Sequence, residues 1–148
     1  MPETVLCPFC GEPLPETTKR DPLAGRVERC PRCTGGYTAA QSLDQARGQL
    51  ADALQSPPAS LEIQAVVVPG RNLLVFVAWN LKEELKPSQV AKIVDLHTLD
   101  VNRRLRQGRF EGAYRDTSVR EGIGGEWRVP RRGVLAFMRA GRKLGTGG

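Results

Sequence analysis

The sequence lacks the features that would place it in several large classes of protein. It has one histidine and no phosphate-binding loop, paired catalytic carboxylates or nucleophile motif, so we do not expect an enzyme. No apolar run approaches the roughly 20 residues that a membrane helix needs, and the N-terminus does not have the basic-then-apolar layout of a signal peptide. These absences predict a soluble protein of the cytoplasm without a membrane partner.

Net positive charge is also missing from the first part of the chain. Residues 1–81 carry 7 Lys and Arg against 8 Asp and Glu, whereas residues 82–148 carry 15 against 8, so the net charges are −1 and +7. A positive field confined to one part raises the local concentration of a polyanion there. We therefore expect the second part to bind nucleic acid, the alternative being a basic surface that only keeps the protein soluble.

The chain has four cysteines, and they form two CxxC pairs, Cys7 with Cys10 and Cys30 with Cys33. In a reducing compartment this pairing favours a metal site over disulfides. Each pair can form a tight knuckle, and two knuckles complete a tetrahedron of thiolates at about 2.3 Å from one Zn²⁺. Because protein ligands fill all four positions, the zinc is expected to be structural.

The segment from about residue 5 to 37 resembles a zinc ribbon of the CPxCG…CPxCG type. The resemblance implies a small metal-built module whose folding depends on the metal. Thr34 stands where glycine usually follows the second pair, so Gly35 and Gly36 are expected to serve instead. Ribbons of this type contact DNA, RNA or protein. Because this one has no net positive charge, we favour a protein partner or structural support over direct binding of nucleic acid.

A single amphipathic helix is predicted for residues 42–55. Ser42 and Gln45 form a capping-box pattern, and apolar residues then recur at helical spacing. The helix ends at Ser56-Pro57-Pro58, because proline cannot continue a helix.

The next segment, residues 61–81, predicts a β-hairpin. Its two arms are rich in Val, Ile, Phe and Trp and flank a turn composition at residues 69–72. The second arm has no polar face, so something must cover it. Two coverings remain open: neighbouring helices of the same chain, or a homodimer interface through the hairpin.

Two short helices are predicted after the hairpin. Pro87 opens the first, residues 95–98 form a turn, and the second runs from about residue 98 to 107 with Gly108 as its stop. Spacing at 100° per residue turns an amide, two guanidinium groups and a leucine outward, a set that suits base edges in a major groove. The alternative is an ordinary solvated basic face. The outward residues are Leu99, Asn102, Arg103 and Arg106.

The segment from Leu85 to Met138 resembles the excisionase-type DNA-binding domain of the MerR-like winged-helix group. The resemblance is carried by Pro87, Ala91, Gly108-Arg109-Phe110, the strand Trp127 to Pro130, and a closing helix from Val134 to Met138. It implies DNA binding, with the second helix in the major groove and the 110–130 hairpin as a wing on the minor groove or backbone. His97 replaces the usual capping serine of the second helix and is expected to cap it. The resemblance assigns the groove contacts to Leu99, Asn102, Arg103 and Arg106, and the wing contacts to Arg115 and Arg120. Arg128 is a further DNA-binding candidate in the matching strand, where strand alternation could direct it to either face.

We therefore expect a sequence-specific duplex-DNA-binding protein that regulates transcription and associates with the nucleoid. Two alternatives remain open: an adaptor that docks on a protein or nucleic-acid machine through the ribbon and hairpin, or a recombination-directionality factor of the excisionase kind. The fold class is α+β, comprising a zinc ribbon (1–40), an amphipathic helix and linker (41–58), an apolar β-hairpin (59–82), a winged helix-turn-helix (83–143) and a flexible tail (144–148).

Overall fold

A computed structural model describes residues 5–14, 26–68, 73–116 and 126–147. The chain divides into two compact units, Met1–Asn80 and Leu81–Gly148. In the described residues it is a mixed α/β protein with four α-helices, and all its sheets are antiparallel, in agreement with the predicted mixture of helices and strands. None of the helices in this part of the chain is both long and apolar enough to cross a membrane.

In the first unit, the hairpin and the second cysteine pair belong to one sheet. Strands β3, β4, β6 and β5 lie side by side in that order, and β1 pairs with β2 separately. The hairpin predicted for residues 59–82 is therefore not an isolated ribbon, because residues 74–78 of its second arm pair with the strand that follows Cys33. The elements of this unit are β1 (Val5–Leu6), β2 (Pro13–Leu14), β3 (Glu28–Arg29), β4 (Gly36–Ala40), α1 (Leu43–Ala53), β5 (Leu61–Val68) and β6 (Leu73–Asn80).

Helix α1 covers one face of this sheet. It buries Ala46 and Leu50 against Phe76 and Ala78 of β6. Its start follows the predicted capping pattern, since the Ser42 hydroxyl accepts a hydrogen bond from the backbone N–H of Gln45 at 3.2 Å. Of the two coverings left open for the hairpin, a neighbouring helix of the same chain is the one observed on this face.

The other face of β6 is buried as well. Val75, Val77 and Trp79 alternate with the residues that meet α1, and all three are fully buried. The ring of Phe9, from the first cysteine pair, stacks on Trp79 with the ring centroids 4.6 Å apart. Burial on both sides explains why this strand has no polar face.

The second unit contains the two short predicted helices. Asp95 ends α2 in a left-handed conformation (φ 58°), and α3 begins three residues later. His97 caps α3 as expected, because its Nδ1 accepts a hydrogen bond from the backbone N–H of Leu99 at 3.3 Å. The elements of this unit are β7 (Glu84–Leu85), α2 (Pro87–Val94), α3 (Thr98–Arg106), β8 (Tyr114–Asp116), β9 (Glu126–Pro130) and α4 (Arg131–Gly147).

A buried arginine connects the three-stranded sheet of this unit to helix α4. The strands of this sheet lie in the order β7-β9-β8. The side chain of Arg131, the first residue of α4, is fully buried, and its Nε donates to Oε2 of Glu83 at 2.9 Å. The backbone N–H of Arg131 also donates to the carbonyl of Glu83, at 2.9 Å. Further along, Phe137 of α4 stacks on Phe110 with centroids 4.4 Å apart. The ion pair and the ring stack thus hold α4 against the rest of the unit.

The end of the chain differs from the sequence prediction. Residues 144–148 were predicted to form a flexible tail, but α4 continues to Gly147. Glycine and threonine are weak helix formers, and such a preference is only a weak guide at the end of a helix that is already formed. Gly148, the hairpin turn at residues 69–72 and the wing tip with Arg120 lie outside the described residues.

Candidate metal centre and basic helix surface

Each cysteine pair forms the same tight turn. The N–H of Gly11 donates to the carbonyl of Cys7 at 2.8 Å, and the N–H of Thr34 donates to the carbonyl of Cys30 at 2.9 Å. Gly11 and Thr34 both have positive φ, 82° and 59° respectively. The two pairs therefore present their sulfurs from equivalent knuckles, as a four-thiolate site requires.

Thr34, and not Gly35 or Gly36, is the left-handed residue that ends the second knuckle, contrary to expectation. It takes the left-handed conformation itself, which costs a non-glycine residue about 1 kcal/mol. Two hydrogen bonds hold it there: its hydroxyl donates to the carbonyl of Cys33 at 2.6 Å, and Arg29 donates to the carbonyl of Thr34 at 2.9 Å. Gly35 is needed for a different reason, since a Cβ there would lie 2.8 Å from Cδ1 of Trp79.

The spacing of the four sulfurs fits a single tetrahedral ion. The Sγ atoms of Cys7 and Cys33 are 3.7 Å apart, those of Cys10 and Cys30 are 3.5 Å apart, and all four lie within 4.8 Å of one another. A tetrahedron with bonds of about 2.3 Å has edges of about 3.8 Å. The predicted ligands are thus brought together, and the four cysteines form a site that could hold a metal ion.

Hydrogen bonds among the four sulfurs shift the pKa values of the cysteines in opposite directions. The pKa of Cys33 is lowered to about 7, chiefly because Cys10 donates a hydrogen bond to it, with a further contribution from Trp79. Hydrogen bonding from Cys10 also lowers the pKa of Cys30 well below its ordinary value. The pKa of Cys7 is raised, first by its hydrogen bond with Cys10 and also by burial. Two sulfurs therefore favour the thiolate, which is the form that ligates a metal.

Two side chains around the cysteines were not anticipated from the sequence. The indole Nε1 of Trp79 lies 3.4 Å from Sγ of Cys33, and Arg32 donates to the carbonyl of Cys10 at 3.1 Å. Trp79 is 46 residues from Cys33 in the chain, and nothing in the linear pattern connects the two. Only the pairing of β4 with β6 brings them together.

The second candidate site is the outward surface of α3, which we call the α3 face. Val101 and Leu105 are buried on the opposite side of the helix, as the 100° spacing predicted. On the α3 face Leu99 is 67% exposed. The face consists of Leu99, Arg103 and Arg106, which are exposed, and Asn102, which is half-buried.

The wing arginines have different surroundings. The exposed guanidinium of Arg115 lies over the ring of Trp127, 5.1 Å from its centroid. Arg128 is only 20% exposed and lies 3.4 Å from a carboxylate oxygen of Glu126 and 3.9 Å from one of Asp116. Of the described wing candidates, Arg115 is therefore the exposed one, while Arg128 is largely buried beside two acids.

No protein-family model, no curated protein and no solved structure matches this chain.

Proposed function

We propose that the chain is a zinc-containing protein that binds specific sequences of duplex DNA and regulates transcription. In this proposal the second unit is a winged helix-turn-helix of the excisionase-type, MerR-like group. The observation that carries the proposal is the α3 face, on which a leucine and two arginines project from a short helix anchored by Val101 and Leu105.

The chemistry of the α3 face matches base edges in the major groove. Arg103 or Arg106 can donate two hydrogen bonds to guanine, and the amide of Asn102 can pair with adenine. Exposed Leu99 can contact a thymine methyl group, which gives it an apolar partner that it lacks in water.

The arrangement around α3 also supports the proposal. Helix α2 and its turn precede α3, and strands β8 and β9 form a hairpin after it, which is the order of a helix-turn-helix followed by a wing. Arg115 lies on that hairpin and is exposed, so it is a candidate for a phosphate contact. The net charge of +7 in residues 82–148 would attract the DNA backbone.

The first unit supplies a metal-stabilised module in this proposal. Four thiolates with closed tetrahedral spacing are typical of structural zinc, because no position is left for a reacting water. The ion would fix both knuckles, and through the second knuckle it would fix the start of strand β4, which pairs with β6. Metal analysis of protein purified without chelator should find about one zinc per chain.

Selection of the full chain against a random duplex library tests the DNA proposal. We expect a preferred sequence to emerge, and on that sequence Arg103→Ala or Arg106→Ala should each weaken binding by ~1 to 3 kcal/mol and relax base choice. Arg104→Ala is the matched control, because it removes the same charge from the same helix. Arg104 lies about 150° from the centre of the α3 face at 100° per residue.

The comparison of selected and random duplexes decides between reading and nonspecific attraction. Specific reading predicts that the α3-face variants lose more on the selected duplex than on a random one. Equal losses on both duplexes, or equal losses for Arg103→Ala and Arg104→Ala, would contradict direct readout and leave only charge attraction. Failure of any motif to emerge would contradict sequence specificity itself.

A further inference from the structure

Trp79 is held in one orientation by contacts on several sides. It is fully buried in β6, and its ring stacks on Phe9 at an interplanar angle of 17°. Its edge lies against the backbone of the second cysteine knuckle, where a Cβ on Gly35 would come within 2.9 Å of Nε1. The knuckle thus has glycine at the point where the indole approaches, and the indole N–H points at Cys33.

The chemistry of this contact is specific to an indole. A buried Trp N–H is only a donor and needs an acceptor. Here the sulfur of Cys33, 3.4 Å away, accepts from it. A thiolate is a charged acceptor, so the hydrogen bond is stronger to the metal-ligating form than to a neutral thiol.

We propose that Trp79 is a positioning residue of the metal centre, and that its N–H orients the Cys33 thiolate and withdraws charge from it. The inference depends on metal binding by the four cysteines. It extends that assignment by giving the apolar strand β6 a part in the metal centre. Partners of this kind in the outer shell typically change metal affinity by about 10- to 100-fold when they are removed.

Cobalt and zinc titrations of the full chain test the role of Trp79. Trp79→Phe keeps an aromatic ring for the stack on Phe9 and removes the N–H. We expect zinc affinity, measured by competition with a chelator, to fall by about 10-fold or more. With Co²⁺ in the site, we expect the sulfur-to-cobalt charge-transfer band to move to lower energy, because the sulfur regains electron density. Trp127→Phe, in the other unit, is the matched control and should change neither value.

An isosteric replacement separates the hydrogen bond from packing. In a Trp127→Phe background, biosynthetic exchange of the remaining tryptophan for 3-benzothienylalanine keeps the bicyclic shape at position 79 and replaces the N–H with sulfur. The benzothienylalanine protein also tests the proposal if Trp79→Phe fails to fold. We expect it to show the lowered affinity and the shifted cobalt band.

The outcomes are distinct. If the isostere binds zinc and cobalt as the tryptophan protein does, the N–H has no role and the proposal for Trp79 is overturned, while metal binding itself stands. If the unmodified chain binds neither ion, the metal assignment fails, and the role of Trp79 fails with it.

Discussion

The two units of this protein place their candidate functional residues in opposite environments. In Met1–Asn80 three of the four cysteines are buried, and the residues around them fix the sulfurs in one arrangement. In Leu81–Gly148 the leucine and arginines of the α3 face are exposed, and buried residues fix only the helix that carries them. A folded metal site holds its ligands in one orientation through the residues around them, whereas a surface that reads DNA needs side chains that can reach base edges.

The units also differ in what stabilises them. A domain of this size buries only a modest core, so additional interactions matter. The first unit has a cluster of four thiolates that a metal would join, next to a sheet buried on both faces of β6. The second has the buried Arg131, its partner Glu83, and a stack of two phenylalanines. Removal of the metal should therefore unfold the first unit and leave the second unit folded.

The largest expected effect is the loss of the first unit on removal of the metal. Structural zinc in small modules contributes ~10 to 16 kcal/mol of apparent binding energy, which is available only to the folded chain. We expect chelation, or Cys30→Ser, to collapse the dispersed amide NMR resonances of residues 26–68 while those of residues 81–116 keep their dispersion. Added zinc should restore the chelated protein but not the variant. Collapse of both sets of resonances, or of neither, would contradict a stabilising role of the metal that is confined to the first unit.

The next effect should be confined to the second unit. Glu83→Gln removes the carboxylate that faces the fully buried Arg131, and we expect a loss of about 3 kcal/mol, the lower end for a buried pair, because Glu83 is partly exposed. Urea unfolding of the second unit, followed by its own NMR resonances, measures the change.

Glu84→Gln is the matched control for Glu83. Its carboxylate accepts an exposed hydrogen bond from the hydroxyl of Tyr114 at 2.9 Å, so the cost should stay below about 1 kcal/mol. A loss for Glu84→Gln as large as that for Glu83→Gln would show that burial of Arg131 is not what makes the pair important.

A third and smaller effect concerns the close approach of Gly35 to Trp79 in the first unit. Gly35→Ala would place a methyl group 2.8 Å from Trp79 and 3.2 Å from the carbonyl of Ala78, and such overpacking costs ~1 to 3 kcal/mol. Gly48→Ala, in α1, meets nothing within 4 Å and should stabilise the unit by ~0.5 to 1 kcal/mol. Thermal unfolding of the zinc-loaded protein compares the two. Opposite shifts are expected, and a stabilising Gly35→Ala would contradict the close approach of the indole.

The smallest effect concerns the two described wing arginines and depends on the proposed DNA binding. Arg115→Ala should reduce the slope of log affinity against log salt by about 1, as expected for the loss of one phosphate contact. Arg128→Ala should leave the slope nearly unchanged, because its guanidinium already pairs with Asp116 and Glu126. Anisotropy titrations at several salt concentrations measure both. A larger change in slope for Arg128→Ala than for Arg115→Ala would contradict this assignment of the phosphate contact to Arg115.

Local patterns predicted the local structure well. The spacing of Cys7, Cys10, Cys30 and Cys33 predicted a cluster, and their sulfurs come together. The capping bonds at Ser42 and His97 were likewise predicted, because each joins residues two or three positions apart. Such signals depend on the geometry of one knuckle or one helical turn, which a few residues specify.

Predictions that needed distant partners were less complete. The lack of a polar face on β6 showed that something covers it, but not that α1 and Phe9 of the same chain would do so. Gly35 and Gly36 were expected to serve in place of the glycine that usually follows the second cysteine pair, because the left-handed conformation that Thr34 adopts is uncommon for threonine. Burial of Arg131 was not anticipated, because arginine is rarely buried without a partner and Glu83 is 48 residues away.

The sequence by itself therefore determined the ligand set, the helices and their caps, and the separation of negative and positive charge between the two parts of the chain. Tertiary structure alone decided that β6 joins the sheet beside the second knuckle, that Trp79 points at Cys33, and that Arg128 is engaged while Arg115 is exposed. The reason is physical. Hydrogen bonds within a turn or knuckle depend on short spacings, whereas contacts between strands depend on a register that all the packed residues fix together.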